Sequence, residues 1–284
     1  MQYGISPVSI VSVRSVPTTT SEICTQLLFG ELVEILDKKG RHWLKIRCQW
    51  DDTIGWVNAN QLKLITALEY QCYEKDFAYN FDLMQPIVGK NHFIPVTLGA
   101  HLPNFDGLQL HLGDNSFQFS GQAVYPKDIQ ARPEVIQKLV RKYLYAPYLH
   151  GGRSPFGIDS AGLVQVVYQM AGIALARTAI QQVLAPGHTI DFMEQAQCGD
   201  LIFFENQIGR IAHVGILLEQ QQIIHAFGHV RIDRVDHHGI FDESLGKYTH
   251  KMRLIRRVLP PIAATAKRPT VITKSAQKQF ELFS

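Results

Sequence analysis

The sequence predicts an α+β fold in which small β modules precede a segment of helices and then antiparallel strands. Three observations support this prediction. Short apolar runs separated by turn residues occupy the first 126 residues. Apolar residues at helical spacing then begin at Pro133 and again near Asp159. Four strand-like runs follow between residues 200 and 234.

Residues 1–65 have the pattern of a small barrel. Their apolar runs, at 8–13, 26–36, 43–47 and 54–57, are separated by Gly, Asp-Asp and Lys-Lys-Gly turns. The order of these runs, with RSVP after the first and GWV near the end, resembles a bacterial SH3-like domain.

Residues 66–126 contain a second set of short strands, with runs at 92–96 and 118–124. We predict that they form a second, diverged SH3-like barrel. Residues 127–260 form the α+β domain, whose first helix begins at Pro133. Residues 261–284 have little periodicity, and we predict a C-terminal extension there.

Composition argues against several functional classes. The chain has 28 Lys and Arg against 25 Asp and Glu, a net charge of +3, and no long basic tract, which argues against a nucleic-acid partner. No window reaches the length of a membrane span, and the start of the chain has no export signal, so we predict a cytoplasmic protein. A chain whose leader had been removed would look the same. The 4 cysteines are far apart, which favours reduced thiols.

The stretch around residue 160 is the most informative for chemistry. A loop rich in Gly and Pro ends at Asp159, and an apolar helix begins directly after it. Residue 160 therefore lies in the first helical turn, where backbone N–H groups and the helix dipole stabilise an anion. Downstream, His213 and His225 lie in two neighbouring apolar strands. The short turn between these strands makes them antiparallel, which allows both side chains to lie on one face.

Four sequence blocks carry a family resemblance. They are GIDSAGL at 157–163, GDLIFF at 199–204, AHVGI at 212–216 and IIHA at 223–226. In order and spacing they resemble the NlpC/p60 family of papain-like cell-wall cysteine peptidases, in particular members that follow two SH3-like domains. The fold class is therefore predicted as α+β, a papain-like NlpC/p60 domain preceded by two small SH3-like β-barrels.

The resemblance also implies roles for three side chains. Residue 160 would be the nucleophile, His213 the general base and His225 the group that orients the base, with no cofactor. The plainer alternative is that the two histidines only fill a sheet face. Where the family has cysteine, this chain has Ser160. A hydroxyl is far less acidic than a thiol, so we expect activity to be weak or absent.

The members with two barrels resemble enzymes that trim murein peptides with a free L-Ala-γ-D-Glu end, cutting between the γ-D-Glu and the diamino acid. The implied partner is therefore a small murein peptide. By this resemblance the substrate-binding positions are Glu22, Tyr148, Asp159, Arg177 and Thr178. Two positions depart from that group, since Thr53 replaces a tyrosine and Thr178 an aspartate. Fewer anionic acceptors would compensate a buried ammonium less well.

Three explanations of Ser160 stay open. A cysteine changed in the laboratory would explain Ser160 but neither Thr53 nor Thr178. Drift to a non-catalytic binding protein would explain all three residues. A hydrolase of altered specificity would use the serine itself.

Two further classes are alternatives. A metal site would draw on His225, His229, His237 and His238, which have no acidic or cysteine partner at a spacing that favours zinc. An adaptor that binds proline-rich peptides would need an exposed groove of aromatic side chains. Its candidates are Trp43, Trp50, Trp56 and Tyr79.

Overall fold

The structure, a computed structural model, describes residues 2–261, which form two compact units. The first unit contains residues 2–21 and Leu27–Ile129, and the second contains Glu22–Gln26 and residues 130–261. The C-terminal extension lies outside the described residues from position 262 onward. The domain boundaries at 65, 126 and 260 stay a prediction.

Seven strands occupy the first 65 residues. They are β1 (Gln2–Ile5), β2 (Ile10–Arg14), β3 (Ile23–Leu28), β4 (Leu32–Lys39), β5 (Trp43–Cys48), β6 (Ile54–Asn58) and β7 (Lys63–Ile65). Their order in the sheet is β3-β2-β6-β5-β4-β1-β7. Alternate residues of β5, such as Leu44 and Ile46, are buried, because successive side chains of a strand point to opposite faces.

The apolar run at 26–36 is two strands and not one. Between them, Gly30 has φ +78°, and a Cβ built there would lie 2.2 Å from the carbonyl oxygen of His101. Only glycine fits this close approach, so the chain turns between β3 and β4.

The rest of the first unit begins with a helix that the sequence pattern did not predict, α1 (Ala67–Lys75). Thr66 caps it, and the Glu69 carboxylate accepts from the Thr66 N–H, which makes a capping box. The strands that follow are β8 (Phe77–Asn80), β9 (Met84–Val88), β10 (Phe93–Thr97), β11 (His101–Pro103), β12 (Gln109–Leu112), β13 (Asn115–Gln118) and β14 (Ala123–Val124). They form one sheet in the order β10-β9-β13-β12 and another in the order β11-β8-β14. The predicted strand at 118–124 is therefore the end of β13 and, after a gap, β14.

The second unit contains three α-helices among its described residues, α2 (Pro133–Arg141), α3 (Ser160–Gln169) and α4 (Ala179–Gln182). Its strands are β15 (Arg153–Ser154), β16 (Gly157–Ile158), β17 (His188–Ile190), β18 (Leu201–Glu205), β19 (Ile211–Leu217), β20 (Gln222–Phe227), β21 (His229–Val235), β22 (Gly239–Asp242) and β23 (Lys247–Arg257). Strands β15 and β16 pair with each other.

The large sheet of the second unit has the order β17-β23-β18-β19-β20-β21-β22. Because β22 also pairs with β23, the strands from β18 to β23 close into a barrel. Helix α3 packs against β19 and β20. Every residue of α3 is buried, as expected for a mostly apolar helix, and its two glutamines, Gln165 and Gln169, are buried as well. None of the helices formed within residues 2–261 is long and apolar enough to cross a bilayer.

Candidate active site

Ser160 is the first residue of α3, and it is 7% exposed. The preceding residue, Asp159, caps the helix, because its Oδ1 accepts from the Gly162 N–H at 2.6 Å. The N–H groups of a first helical turn have no partner within the helix, and the helix dipole is positive at that end. The Ser160 hydroxyl therefore belongs to a turn that favours negative charge.

Two strands that contact α3 carry the histidine pair, with His213 on β19 and His225 on β20. His213 Nε2 lies 2.8 Å from His225 Nδ1, and the two rings are perpendicular. Both side chains are buried. The structure thus brings together the two histidines that the sequence singled out, on strands packed against the helix that begins at Ser160.

The electrostatics keep both histidines neutral near pH 7. Burial lowers the pKa of His213 well below its usual value, and His225 and His250 add to this effect. Burial also lowers the pKa of His225, although the Asp233 carboxylate offsets part of the shift. A neutral imidazole can accept a proton, so His213 is able to act as a base, but its low pKa makes it a weak one.

Two residues beside the histidine pair, Asp233 and His250, were not identified from the sequence. Asp233 on β21 lies 2.9 Å from His225, from Oδ2 to Nε2. His250 on β23 packs its ring 4.3 Å from that of His213, and burial, together with the charge of His225, lowers the pKa of His250 to about 4. The sequence offered one signal for Asp233, a carboxylate within a predicted strand. It offered none for His250, because strand β23 was not predicted.

The predicted substrate residues Asp159 and Arg177 bind each other. Arg177 donates from Nη1 to Asp159 Oδ1 at 3.0 Å and from Nη2 to Oδ2 at 2.7 Å. Asp159 also accepts from the N–H groups of Gly151 and Gly162. Four donors fill the acceptor positions of a carboxylate, so Asp159 is committed to its own loop and helix.

The remaining predicted substrate residues are exposed. Glu22 lies 2.8 Å from His150, from Oε1 to Nε2, and both side chains face solvent. Burial raises the pKa of Tyr148, and Asp159 adds to the shift, so this hydroxyl stays protonated at neutral pH. Thr178 stands at the N-cap of α4 and donates to Gln181, so it brings no charge. Thr53 lies in the first unit, in the turn before β6.

The two alternative classes find little support in the described residues. His225 is bound to His213 and Asp233, and His237 packs against His238. Across residues 2–261, no three His, Cys, Asp or Glu side chains are placed to hold a metal ion. Tyr79, a candidate for an aromatic groove, is 2% exposed.

Comparison with known proteins finds two family matches in this chain. Residues 145–248 match the NlpC/P60 family, and residues 13–62 match the bacterial dipeptidyl-peptidase SH3 domain. Dipeptidyl-peptidase 6 of Lysinibacillus sphaericus is 26% identical over 233 residues, which cover 74% of this chain and 82% of that protein. The γ-D-glutamyl-L-lysine dipeptidyl-peptidase of Bacillus cereus is 25% identical over 238 residues, 74% of this chain and 68% of that protein.

A solved structure agrees with this relation. The crystal structure of an NlpC/P60 family protein from Bacillus cereus covers 91% of this chain and 100% of that one, with a TM-score of 0.78 and 20% identity. At this identity the likeness shows the fold. The predicted α+β class with an SH3-like N-terminal domain is confirmed.

Proposed function

Because the chain contains an NlpC/P60 domain behind a bacterial SH3 domain, we propose that it acts on murein peptides. It binds peptides with a free L-Ala-γ-D-Glu end. Its site is built to hydrolyse the bond between the γ-D-Glu and the diamino acid, slowly, because Ser160 holds the nucleophile position. Two relatives that span most of the chain are dipeptidyl-peptidases by name, which supports a peptidoglycan peptide hydrolase scaffold.

The observation that carries the proposal is the hydrogen bond between His213 and His225, on strands packed against the helix that begins at Ser160. In the reaction, His213 takes the hydroxyl proton as Ser160 Oγ attacks the γ-carbonyl carbon. The imidazolium then gives that proton to the leaving amine of the diamino acid. Water hydrolyses the resulting ester and restores the serine.

Serine makes the first step slow for two reasons. A hydroxyl is much less acidic than a thiol, so the helix start does not ionise it beforehand. In addition, the lowered pKa of His213 weakens the base that has to remove the proton. We therefore expect the chain to bind its peptide far better than it cleaves it.

Recognition of the free amine falls on Glu22 and Tyr148. The Asp159 carboxylate is filled by its own donors, whereas the carboxylate of Glu22 is exposed and shares one oxygen with His150. An ammonium group binds a carboxylate by charge-assisted hydrogen bonds, and the protonated Tyr148 hydroxyl offers a neutral acceptor. An N-acylated peptide has no charge to place there, so it should bind less well.

A second candidate function is a non-catalytic receptor for the same peptides. The observation that favours it is Ser160 itself, together with the lowered pKa of His213, which makes His213 a weak base. The two candidates share one binding site and differ in turnover alone. The cytoplasmic location stays a prediction.

The test of binding is titration calorimetry with L-Ala-γ-D-Glu-diaminopimelate and with its N-acetyl form. The proposal expects heat of binding with the free amine and at least about ten-fold weaker binding of the acetylated peptide, the value of one charge-assisted contact. Equal affinity for both would refute amine recognition. No binding of either would refute the murein-peptide proposal.

A further inference from the structure

A line of hydrogen bonds continues from the histidine pair to a carboxylate. His213 Nε2 is 2.8 Å from His225 Nδ1, and His225 Nε2 is 2.9 Å from Asp233 Oδ2. The line is possible because β20 pairs with β21, with His225 opposite Arg231, so that the side chain of Asp233 reaches the far nitrogen of His225. The His225 side chain is fully buried, and that of Asp233 is 8% exposed.

An ionised Asp233 admits one arrangement of protons along this line. A carboxylate can only accept, so His225 Nε2 has to carry the proton that points at it. A neutral imidazole has one N–H, which leaves His225 Nδ1 bare. His213 Nε2 must then donate to that nitrogen, and His213 Nδ1 becomes the proton-accepting nitrogen. In the reverse arrangement, His225 Nε2 and Asp233 Oδ2 would face each other as two acceptors with no proton between them.

Arg231 keeps Asp233 ionised. Its Nη2 and Nε lie 2.7 and 3.1 Å from Asp233 Oδ1, and its Nη1 lies 3.1 Å from Asp242 Oδ2. Burial raises the pKa of Asp233, but the hydrogen bonds from His225 and Arg231 outweigh burial and lower it overall. The two Asp233 oxygens thus have separate partners, one for each neighbour.

We propose that Asp233 is a positioning residue that fixes the tautomers of both His225 and His213, and so directs the bare nitrogen of His213 to the reaction. This inference rests on the proposed function in one respect, that His213 is the base. When His213 takes a proton, a positive charge forms in a buried site. The Asp233 charge, one imidazole away, compensates it, as the third group of a triad does.

The other groups that face His213 do not replace Asp233. His250 comes from β23, and its ring packs against the His213 ring at an interplanar angle of 31°, while its own Nδ1 lies 2.9 Å from the Thr249 hydroxyl. Phe204 contacts the same ring from β18 and has no polar atom. Of the described residues named in these contacts, Asp233 is the one that supplies a negative charge to the line of hydrogen bonds from His213 through His225.

The first test needs no substrate. Long-range proton–nitrogen NMR of the ¹⁵N-labelled chain at pH 7 distinguishes protonated from bare imidazole nitrogens, with His213→Gln and His225→Gln used for assignment. We expect protonated Nε2 and bare Nδ1 on both rings. The opposite pattern on His225 would overturn the proposal without any variant of Asp233.

The second test uses variants. An Asn amide donates to His225 Nε2, so Asp233→Asn should reverse both tautomers. In a Ser160→Cys background, D233N should also lower the rate of thiol alkylation by iodoacetamide, about ten-fold or more at pH 7. The rate should be lowered at the other pH values of the profile as well. D233E keeps an anion and should recover part of that rate.

The matched control is Asp200→Asn. Asp200 forms a comparable buried ion pair with Arg257, at 2.8 Å from Nε to Oδ1 and 2.8 Å from Nη2 to Oδ2, without touching a histidine. D200N should lower the melting temperature as D233N does but leave the imidazole signals unchanged. If D233N keeps the original tautomers and the alkylation profile, Asp233 has a structural role only. Neither readout uses a peptide, so a failure here is distinct from a failure of murein-peptide binding.

Discussion

The Arg177 guanidinium holds both carboxylate oxygens of Asp159, at 3.0 Å from Nη1 to Oδ1 and 2.7 Å from Nη2 to Oδ2. Asp159 directly precedes Ser160 at the N-terminus of α3, and the Arg177 side chain is 4% exposed. The family resemblance assigned the two residues to the substrate, and that role stays a prediction. The structure shows that they also fix the loop and the helix that present Ser160.

Removing one partner of this ion pair should destabilise the fold. Arg177→Met leaves a buried, uncompensated carboxylate, which costs about 3–5 kcal/mol in such pairs. Denaturant unfolding measures the free energy. The control is Arg234→Met, since Arg234 and Glu243 form an exposed pair at 3.9 Å, worth about 0–1 kcal/mol. Equal losses in both variants would contradict a structural role for the pair at Asp159.

The exposed carboxylate of Glu22 should determine selectivity for a free amine. Glu22→Gln removes the charge and keeps the shape, so affinity for L-Ala-γ-D-Glu-diaminopimelate should fall about ten-fold, while affinity for the N-acetyl peptide should not change. Calorimetry on both peptides measures this. Glu243→Gln, another exposed site, should change neither affinity. A similar loss for both peptides in E22Q would show that Glu22 shapes the site without reading charge.

The buried histidines should make stability depend on pH. The pKa of His250 is lowered to about 4 in the fold, so the unfolded chain, with its usual pKa near 6.5, binds the proton more readily. The contribution of His250 is therefore complete above pH 6.5 and is lost progressively as pH falls toward 4. His213 and His225, whose pKa values are also lowered, act in the same direction.

Urea unfolding at several pH values tests this linkage. The free energy of unfolding should fall between pH 7 and pH 4.5, and His250→Gln should flatten the slope by up to about 1 kcal/mol per pH unit. Gln207→Asn, at an exposed position without a titratable group, is the control and should leave the slope unchanged. A slope in H250Q equal to that of the unmodified chain would contradict the burial of a neutral His250.

The local sequence predicted the helix and the two strands that carry Ser160, His213 and His225. The helix begins at Ser160 because a Gly-rich loop ends at an N-cap aspartate, and the two histidines lie in short apolar strands joined by a tight turn. Each of these features depends on neighbours in sequence. Their positions in the fold therefore follow from local patterns.

Long-range pairing is what the sequence could not supply. His250 lies on β23, a long strand rich in charged residues whose alternation gave no apolar face, and β23 joins the site only by pairing with both β18 and β22. The contact of Asp233 with His225 depends on the register of β20 and β21. Helix α1 was missed for another reason. Its amphipathicity is low, so the apolar residues did not indicate a helix, and the capping box formed by Thr66 and Glu69 was overlooked.

Product release from L-Ala-γ-D-Glu-diaminopimelate, followed by mass spectrometry for the chain and for Ser160→Cys, tests the central claim most directly. We expect free diaminopimelate from S160C at least about a hundred-fold faster than from the unmodified chain, because the helix start and His213 favour a thiolate nucleophile. In the S160C background, His213→Ala should abolish the reaction, which serves as the control for a contaminating peptidase. Robust turnover by the unmodified chain that Ser160→Ala abolishes, or no turnover by a folded S160C that still binds the peptide, would contradict the account.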